Sequence, residues 1–310
     1  MDATLIASVL AATLVAGTPL VIAAMGELVV ERSGVLNLGV EGMMAVGAVC
    51  AFMAHQASGS ATLAVLAGLV AGIAMALLFG YLTLSLLANQ VASGLALAIF
   101  GIGLSAFVGK PFESAAMPMP APLRIPVLAD IPLFGHALFE QHWLVYASWG
   151  LVAAVSWFLF RSRPGLVLRA VGESPASAHA VGYRVIAIRY GAVAFGGAMA
   201  GVAGAFLSVC YTPLWAEGMV AGRGWIALAL VVFATWRPLR VVLGAYLFGG
   251  VMMSQLFVQG AGLRFEVPAQ LLSALPYLAT IAVLVLISRN ASTIRLNAPV
   301  SLGLPFRADS

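Results

Sequence analysis

The chain has 310 residues, of which 62% are hydrophobic and only 8% are charged, with a formal net charge of +4. Soluble domains are roughly 25% charged, so this composition excludes a water-facing globular surface, and the absence of a basic run argues against nucleic-acid binding. Long apolar segments recur along the chain, which excludes a barrel of short alternating strands. The composition therefore predicts an all-α polytopic membrane protein.

Nine apolar segments have the composition of membrane spans. The run 224–236 is too short for a comfortable crossing, which predicts a half-helix that meets an unwound segment inside the protein. We therefore expect a single domain, residues 1–310, with about 8–10 transmembrane helices. In chain order the segments are 3–25, 40–57, 62–87, 90–109, 143–160, 188–212, 224–236, 241–258 and 267–287.

The placement of arginine predicts the orientation, because cytoplasmic loops are enriched in basic residues. Segment 161–189 carries five arginines against one acid, and the tail 288–310 carries three more arginines. Segment 110–142 carries three acids against two bases and is rich in proline. These contrasts predict a cytoplasmic loop at 161–189, a cytoplasmic tail at 288–310 and a periplasmic loop at 110–142.

Two parts of the chain resemble each other. GMMAVGAVCAFMA (42–54) aligns with GWIALALVVFATW (224–236), and each is preceded by a span containing Thr-Pro and followed by a glycine-rich span. In the predicted orientation the two units face opposite ways, which indicates an inverted repeat of about 1–110 and about 188–287. The alternative is a chance likeness between two apolar segments.

The stretch GELVVERSGVLNLGVEG, residues 26–42, places four charged residues and an asparagine in an otherwise apolar region. Its glycines predict a break between two helices. In this interpretation Glu31 and Arg32 mark the cytoplasmic end of the first span, and a half-helix begins at Gly42.

Polar side chains near such breaks are candidates for lining a translocation pathway. The repeat places Glu41 opposite Arg223, each just before a half-helix, and a helix N-terminus favours an acid. The alternatives are that Glu41 caps a helix, that Arg223 is a loop residue at the outer surface, and that the amides join helices to one another. The residues predicted to line or support a pathway are Asn37, Glu41, Asn89, Gln90, Arg223 and Trp225.

Residues 174–182, SPASAHAVG, have the pattern of a complete short helix. Ser174 suits the N-cap, Pro175 the first helical position and Gly182 the position after the C-cap. A capped cytoplasmic helix with small side chains can dock into a groove on another protein. The alternative is an ordinary turn of helix at the membrane interface.

The chemistry of catalysis is not evident in the sequence. GLSAFVGKP (103–111) departs from a phosphate-binding loop in its spacing, and Pro111 stands where Ser or Thr must bind magnesium. The four histidines are scattered without metal-ligand spacing. We therefore predict no catalytic residue, metal or cofactor, and a pathway suited to an uncharged, hydrogen-bonding solute. Most acids fall in predicted loops, which favours a pore whose energy is supplied elsewhere over a proton-driven carrier.

Two stretches resemble a known family. ERSGVLNLGVEGMMAVGA (31–48) and LRAVGESPASAHAVGYRV (168–185) are similar to the signature regions of ABC importer permeases of the branched-chain amino acid and ribose group. The likeness is strongest to the nucleoside and simple-sugar subgroup. The chain departs from it at Ser177-Ala178-His179, where the family often has Ala-Ala-Asp. The resemblance implies the type II importer fold with inverted repeats, in the inner membrane of a bacterium.

The resemblance also implies a function and partners. The chain would be the permease subunit of an ATP-driven importer for nucleosides or a related solute, with simple sugars or branched-chain amino acids as alternatives and a secondary carrier as the competing class. Its partners would be a cytoplasmic ATPase, a second related permease in a heterodimer, and a periplasmic or lipid-anchored binding protein. The residues that would couple to the ATPase are Arg169, Gly172, Glu173, Ser174, Pro175, Ala176, Ala178, His179 and Gly182.

Overall fold

The computed structural model describes residues 3–113, 115–126, 128–129, 131, 135–260, 278, 285 and 297–307. A short antiparallel pair, β1 (Leu123–Arg124) and β2 (Glu140–Gln141), lies between the fourth and sixth helices. In chain order the helices are α1 (Ala3–Arg32), α2 (Val40–Ser58), α3 (Ala61–Gly80), α4 (Gln90–Gly109), α5 (Gly135–Phe139), α6 (Trp143–Arg161), α7 (Arg163–Glu173), α8 (Pro175–Ala180), α9 (Val185–Phe206), α10 (Arg223–Phe233) and α11 (Pro238–Gly260).

Six helices in the described part of the chain are long and apolar enough to cross a membrane: α1, α2, α3, α4, α6 and α9. Together they confirm a polytopic all-α membrane protein and match the first six predicted spans. The predicted short segment is α10, with only 11 residues, and α11 covers the predicted span 241–258. The predicted span 267–287 lies outside the described residues except for positions 278 and 285.

The first span differs from its predicted bounds, and the second keeps the predicted span 40–57 but is not the half-helix predicted to begin at Gly42. Helix α1 does not end near residue 25 but continues to Arg32, because Glu27 and Glu31 find hydrogen-bond partners inside the protein. Helix α2 begins at Val40, ahead of the predicted Gly42, and with 19 residues it is a full span and not a half-helix. Glu41 therefore lies within the first turn of α2 and does not precede it.

Helices α1 and α9 form the centre of the packed core. Helix α9 packs on α1, α2 and α3, while α1 packs on α9, α10 and α11. If α1–α3 and α9–α11 are taken as two groups of three helices, the first helix of each group packs against the third helix of the other: α1 against α11, and α9 against α3. Two groups related by a two-fold axis would pack in this way.

Glycines set how closely α3 and α9 approach. Gly68 and Gly72 of α3 face Gly197 and Gly201 of α9, and a Cβ atom on Gly201 would collide with the carbonyl oxygen of Gly68. The spacing of these two small-residue pairs predicts a close helix contact, and the structure confirms that they pack directly on each other.

Replacing Gly201 by alanine should destabilise the fold, because the new methyl group meets backbone atoms that cannot rotate away. Overpacking of this kind costs about 1–3 kcal/mol. Gly191→Ala is the matched control, since it changes the same helix at a position where a Cβ atom meets nothing within 4 Å. Thermal unfolding of the purified variants in detergent measures the difference, and equal melting temperatures would contradict the packing argument.

Candidate translocation site and coupling surface

The chain breaks between α1 and α2, over residues 33–39. Gly34 adopts a positive φ of 87° that favours glycine, and the Asn37 side chain accepts a hydrogen bond of 2.9 Å from the Gly39 amide. The Leu36 amide donates to the Gln90 side chain at 2.8 Å, and the Asn37 amide donates to Glu27. Buried polar groups of an unwound segment need such partners, so Asn37 and Gln90 hold the break in place.

Glu41 joins α2 to the beginning of α10. It is only 4% exposed, and its two carboxyl oxygens each accept a 2.7 Å hydrogen bond, one from the Gly222 amide and one from the Gly224 amide. These amides belong to the N-terminal end of α10, where N–H groups lack partners within the helix. An acid at a helix N-terminus also opposes the positive end of the helix dipole. The Glu41 carboxylate therefore holds the N-terminus of α10 against the N-terminus of α2.

The close approach of α10 depends on its glycines. Gly222 caps the helix with a left-handed φ of 81°, and a Cβ atom on Gly224 would lie 2.6 Å from the Glu41 backbone. A larger residue at position 224 would push the N-terminus of α10 away from the carboxylate, whereas at Gly222 a Cβ atom meets nothing within 4 Å and only the left-handed φ favours glycine. The repeat alignment made position 41 equivalent to position 223 without predicting a contact, and the structure places Glu41 directly on the start of the short helix.

A small cavity of about 140 Å³ lies beside Glu41. Sites that enclose a small molecule usually measure roughly 300–1,000 Å³, so this cavity is too small to enclose a nucleoside or a sugar by itself. Its lining is mostly apolar and comes from α2, α4 and the segment before α10: Glu41, Ala45, Ile102, Ser105, Ala106, Ala216, Gly218, Met219, Val220 and Ala221.

The other predicted pathway residues are placed differently. The Arg223 guanidinium donates to the Met219 and Val220 carbonyls and lies 5.5 Å from the centre of the Tyr211 ring. Asn89 is the N-cap of α4 and accepts from the Ala92 amide. Trp225 is exposed on the surface of α10. The structure therefore places Asn37 and Gln90 at the break and Glu41 at the start of the short helix. Asn89 acts as a helix cap, and the Trp225 side chain is exposed.

Sequence analysis missed a second group of buried polar side chains. Glu31 accepts a 2.6 Å hydrogen bond from the Trp236 indole, and Arg32 donates to the carbonyls of Trp236 and Asn297. Glu27, Glu31 and Glu41 are therefore all buried in helices. The sequence analysis predicted that most acids lie in loops, and these three do not. Oε2 of Glu27 has no hydrogen-bond partner among the described residues.

Arg189 is the largest correction to the predicted cytoplasmic loop. It lies inside α9, is 1% exposed, and donates to the Ser33 carbonyl, the Leu304 carbonyl and the Ser301 hydroxyl. The sequence analysis counted Arg189 among the arginines of the cytoplasmic loop. Its hydrogen bonds instead connect the break between α1 and α2 to the C-terminal segment. Arg189 fell both in the predicted loop 161–189 and in the predicted span 188–212, and this overlap was the signal that could have identified it.

Residues 297–307, which we name the strap, run across the ends of α1, α7 and α8. The Ser301 amide and hydroxyl both donate to the Gly172 carbonyl, at 3.0 and 2.7 Å, and the Gly303 amide donates to the Gly34 carbonyl. The Phe306 ring lies 5.7 Å from the His179 ring. The strap therefore connects the break after α1 to α8.

Helix α8 has the caps that the sequence predicts. The Ser174 hydroxyl accepts from the Ser177 amide, and Pro175 occupies the first turn. Gly182 has a φ of 96°, and the amides of Gly182 and Tyr183 donate to the carbonyls of His179 and Ala178. This pair of bonds is a Schellman motif. A six-residue helix is thus held at both ends.

The two faces of α8 differ. Ala178 is buried with Val171 and Val185 against Phe306, while Ala176, Ser177 and His179 are exposed and Val181 is 77% exposed. Gly172 is also buried, since a Cβ atom there would collide with the Arg32 carbonyl. Of the residues predicted to couple to an ATPase, Ala178 and Gly172 therefore fix the helix in place, and the exposed ones form its outer surface. Arg169 is half-buried, with its guanidinium 5.2 Å from the Phe160 ring centre.

These features define a polytopic helical membrane protein with a broken first hairpin, a short internal helix and a capped helix on one membrane-flanking face. The chain belongs to the family of permease components of the branched-chain amino acid transport system, whose model matches residues 9–285. This membership makes it a multi-pass plasma membrane protein.

Relatives of known type match almost the whole chain. A putative glucose ABC transporter permease of Haloferax volcanii is 41% identical over 96% of both chains. A guanosine ABC transporter permease of Bacillus subtilis is 33% identical over 99% of this chain and 98% of its own. A nucleoside ABC transporter permease of Lactococcus lactis is 32% identical over 90% and 91%. All three are permease subunits of transporters and none is named as an enzyme.

Proposed function

We propose that the chain is the transmembrane permease subunit of an ATP-driven importer whose solute is a nucleoside or a sugar. The observation that carries this proposal is the end-to-end similarity to permeases named for guanosine, nucleosides and glucose. Nucleosides and sugars share a ring with several hydroxyl groups, and such a solute is recognised by hydrogen bonds without charge. None of these three relatives is named for branched-chain amino acids, which carry two charges.

The orientation we propose puts α7, α8 and the strap in the cytoplasm. The four arginines of 161–184 support it, as do Arg237 and Arg240 in the turn before and at the start of α11. Residues 110–142 are then periplasmic. In this orientation α2 runs outward from its N-terminus and α10 runs inward, which is the inverted relation expected of repeats at about 1–110 and 188–287.

Energy and solute delivery come from other subunits in this proposal. A separate cytoplasmic ATPase docks on the outer face of α8, a periplasmic or lipid-anchored binding protein delivers the solute, and a second related permease completes the pathway. The cavity beside Glu41 is small for a solute, which supports a pathway shared by two permeases. The ATPase then biases the permease pair between inward-open and outward-open states.

Proteoliposomes containing the complete transporter, with the binding protein outside and ATP inside, should accumulate labelled guanosine or labelled glucose only when ATP is present. Unlabelled solute of the correct class should compete, and that of the other class should not. Val181→Arg tests whether uptake depends on the ATPase docking surface. It changes an exposed residue at the end of α8 and leaves the buried side of the helix unchanged. It should leave the permease folded and reduce ATP-driven uptake at least tenfold. Uptake by the permease alone would identify a secondary carrier and overturn the proposal.

A further inference from the structure

We propose that a groove between α6 and α9 binds one acyl chain of an anionic phospholipid. This inference does not depend on the identity of the transported solute. The groove encloses about 470 Å³ and is lined by apolar side chains from four helices. Its floor is Val29 of α1, its walls are α6 and α9, and one end is closed by α7.

Small residues keep the groove open along its length. Ala154 of α6 and Gly191 of α9 both line it and are exposed, so the two helices leave a gap where larger side chains would fill the space. A Cβ atom on Gly191 meets nothing within 4 Å. Phe158 and Phe195 contribute larger apolar surfaces to the lining. The opening is therefore an apolar slot on a face of the protein that borders the bilayer.

The lining favours a lipid chain, because all twelve of its residues are apolar, glycine or proline and none offers a side-chain hydrogen bond. A flexible acyl chain can enter a slot of this size, and each buried methylene contributes to binding.

Charge at one end of the groove identifies the headgroup. Helix α7 folds back on α6 through a tight turn in which the Ser162 hydroxyl accepts from the Gly165 amide and donates to the Phe158 carbonyl. This turn places Pro164 on the groove, and its sequence neighbours Arg161 and Arg163 are exposed outside the lining. Arginines close to an anionic membrane surface attract its lipids, and arginine is suited to binding phosphate. A phosphatidylglycerol-type headgroup therefore fits this end better than a zwitterionic one.

The test is native mass spectrometry of the purified full-length permease with equal amounts of phosphatidylglycerol and phosphatidylethanolamine added. We expect one retained phosphatidylglycerol in the unmodified protein. Gly191→Phe should remove it by filling the groove, while Gly150→Phe should not, because Gly150 is an exposed α6 glycine outside the lining with nothing near its Cβ position. Equal retention in the two variants would overturn the proposal.

The headgroup half of the proposal has its own variants. Arg161→Gln with Arg163→Gln should weaken phosphatidylglycerol binding about 25-fold, or about fivefold for each arginine. Lys110→Gln, which changes an exposed cation far along the chain, should have no effect. The arginine variants are exposed and leave the core unchanged, so they decide the question even if Gly191→Phe folds poorly. Equal binding of the two lipids, or loss of a second permease in place of a lipid from Gly191→Phe, would show that the groove is not an anionic-lipid site.

Discussion

Replacing Glu41 by glutamine is expected to abolish transport and to destabilise the permease. The carboxylate accepts hydrogen bonds from two amides of the α10 N-terminus, at 2.7 Å each. A glutamine side chain has one oxygen and one NH₂ group, so one of the two amides would face another donor. An unsatisfied buried donor and the loss of a charge-assisted bond together cost roughly 2–4 kcal/mol. The start of α10 should then separate from α2.

The measurement combines thermal unfolding in detergent with ATP-driven uptake in proteoliposomes. Glu217→Gln is the matched control, because Glu217 is an exposed acid in the segment that leads into the same helix. It removes the same charge and should leave both stability and uptake unchanged. If Glu41→Gln kept its melting temperature and lost only solute affinity, Glu41 would be a solute ligand and not a clamp between helices.

The sequence predicted the existence of the break around residue 37 but not what holds it. Glycine spacing and an asparagine are local signals, and local signals identify turns. The partners that satisfy the break are distant: Gln90 is more than fifty residues away and Arg189 more than one hundred and fifty. Pairings of that range depend on how the helices pack, which one sequence does not specify.

Helix α8 shows the opposite case. Its N-cap, first-turn proline and final glycine all act within nine residues, and each was found where the sequence predicted it. Which face of α8 is buried could not be predicted, because five of its six residues are small and differ little in hydrophobicity. Phe306 decides it by packing on Ala178 from a segment that is far away in the chain.

The break after α1 is connected on one side to α10 and on the other side to α8. On one side Glu41, just after the break, holds the short helix α10. On the other side Gly34, within the break, bonds the strap, and the strap bonds Gly172 and touches His179 of α8. A displacement of α8 by a docked ATPase therefore has a continuous path of contacts to the start of α10.

Weakening the strap should uncouple α8 from the rest of the permease. Ser301→Ala removes the hydroxyl that accepts from Arg189 and donates to the Gly172 carbonyl. Arg189 is buried, so one of its N–H groups loses its partner, at a cost of about 1–3 kcal/mol. Phe306→Ala removes the aromatic contact with His179 and exposes the buried side of Ala178. Ending the chain after residue 296 removes all of these contacts and should have the largest effect.

The three variants should form a graded series, because the contacts they remove increase in number. Val300→Ala is the matched control within the strap, since Val300 is 73% exposed and adjoins Ser301. Co-purification of the ATPase and the ratio of solute imported to ATP hydrolysed are the readouts that separate coupling from stability. A strap that serves only the fold would lower the melting temperature of all three variants and leave that ratio constant, whereas a strap that carries motion from α8 to the break would lower the ratio in step with the contacts removed.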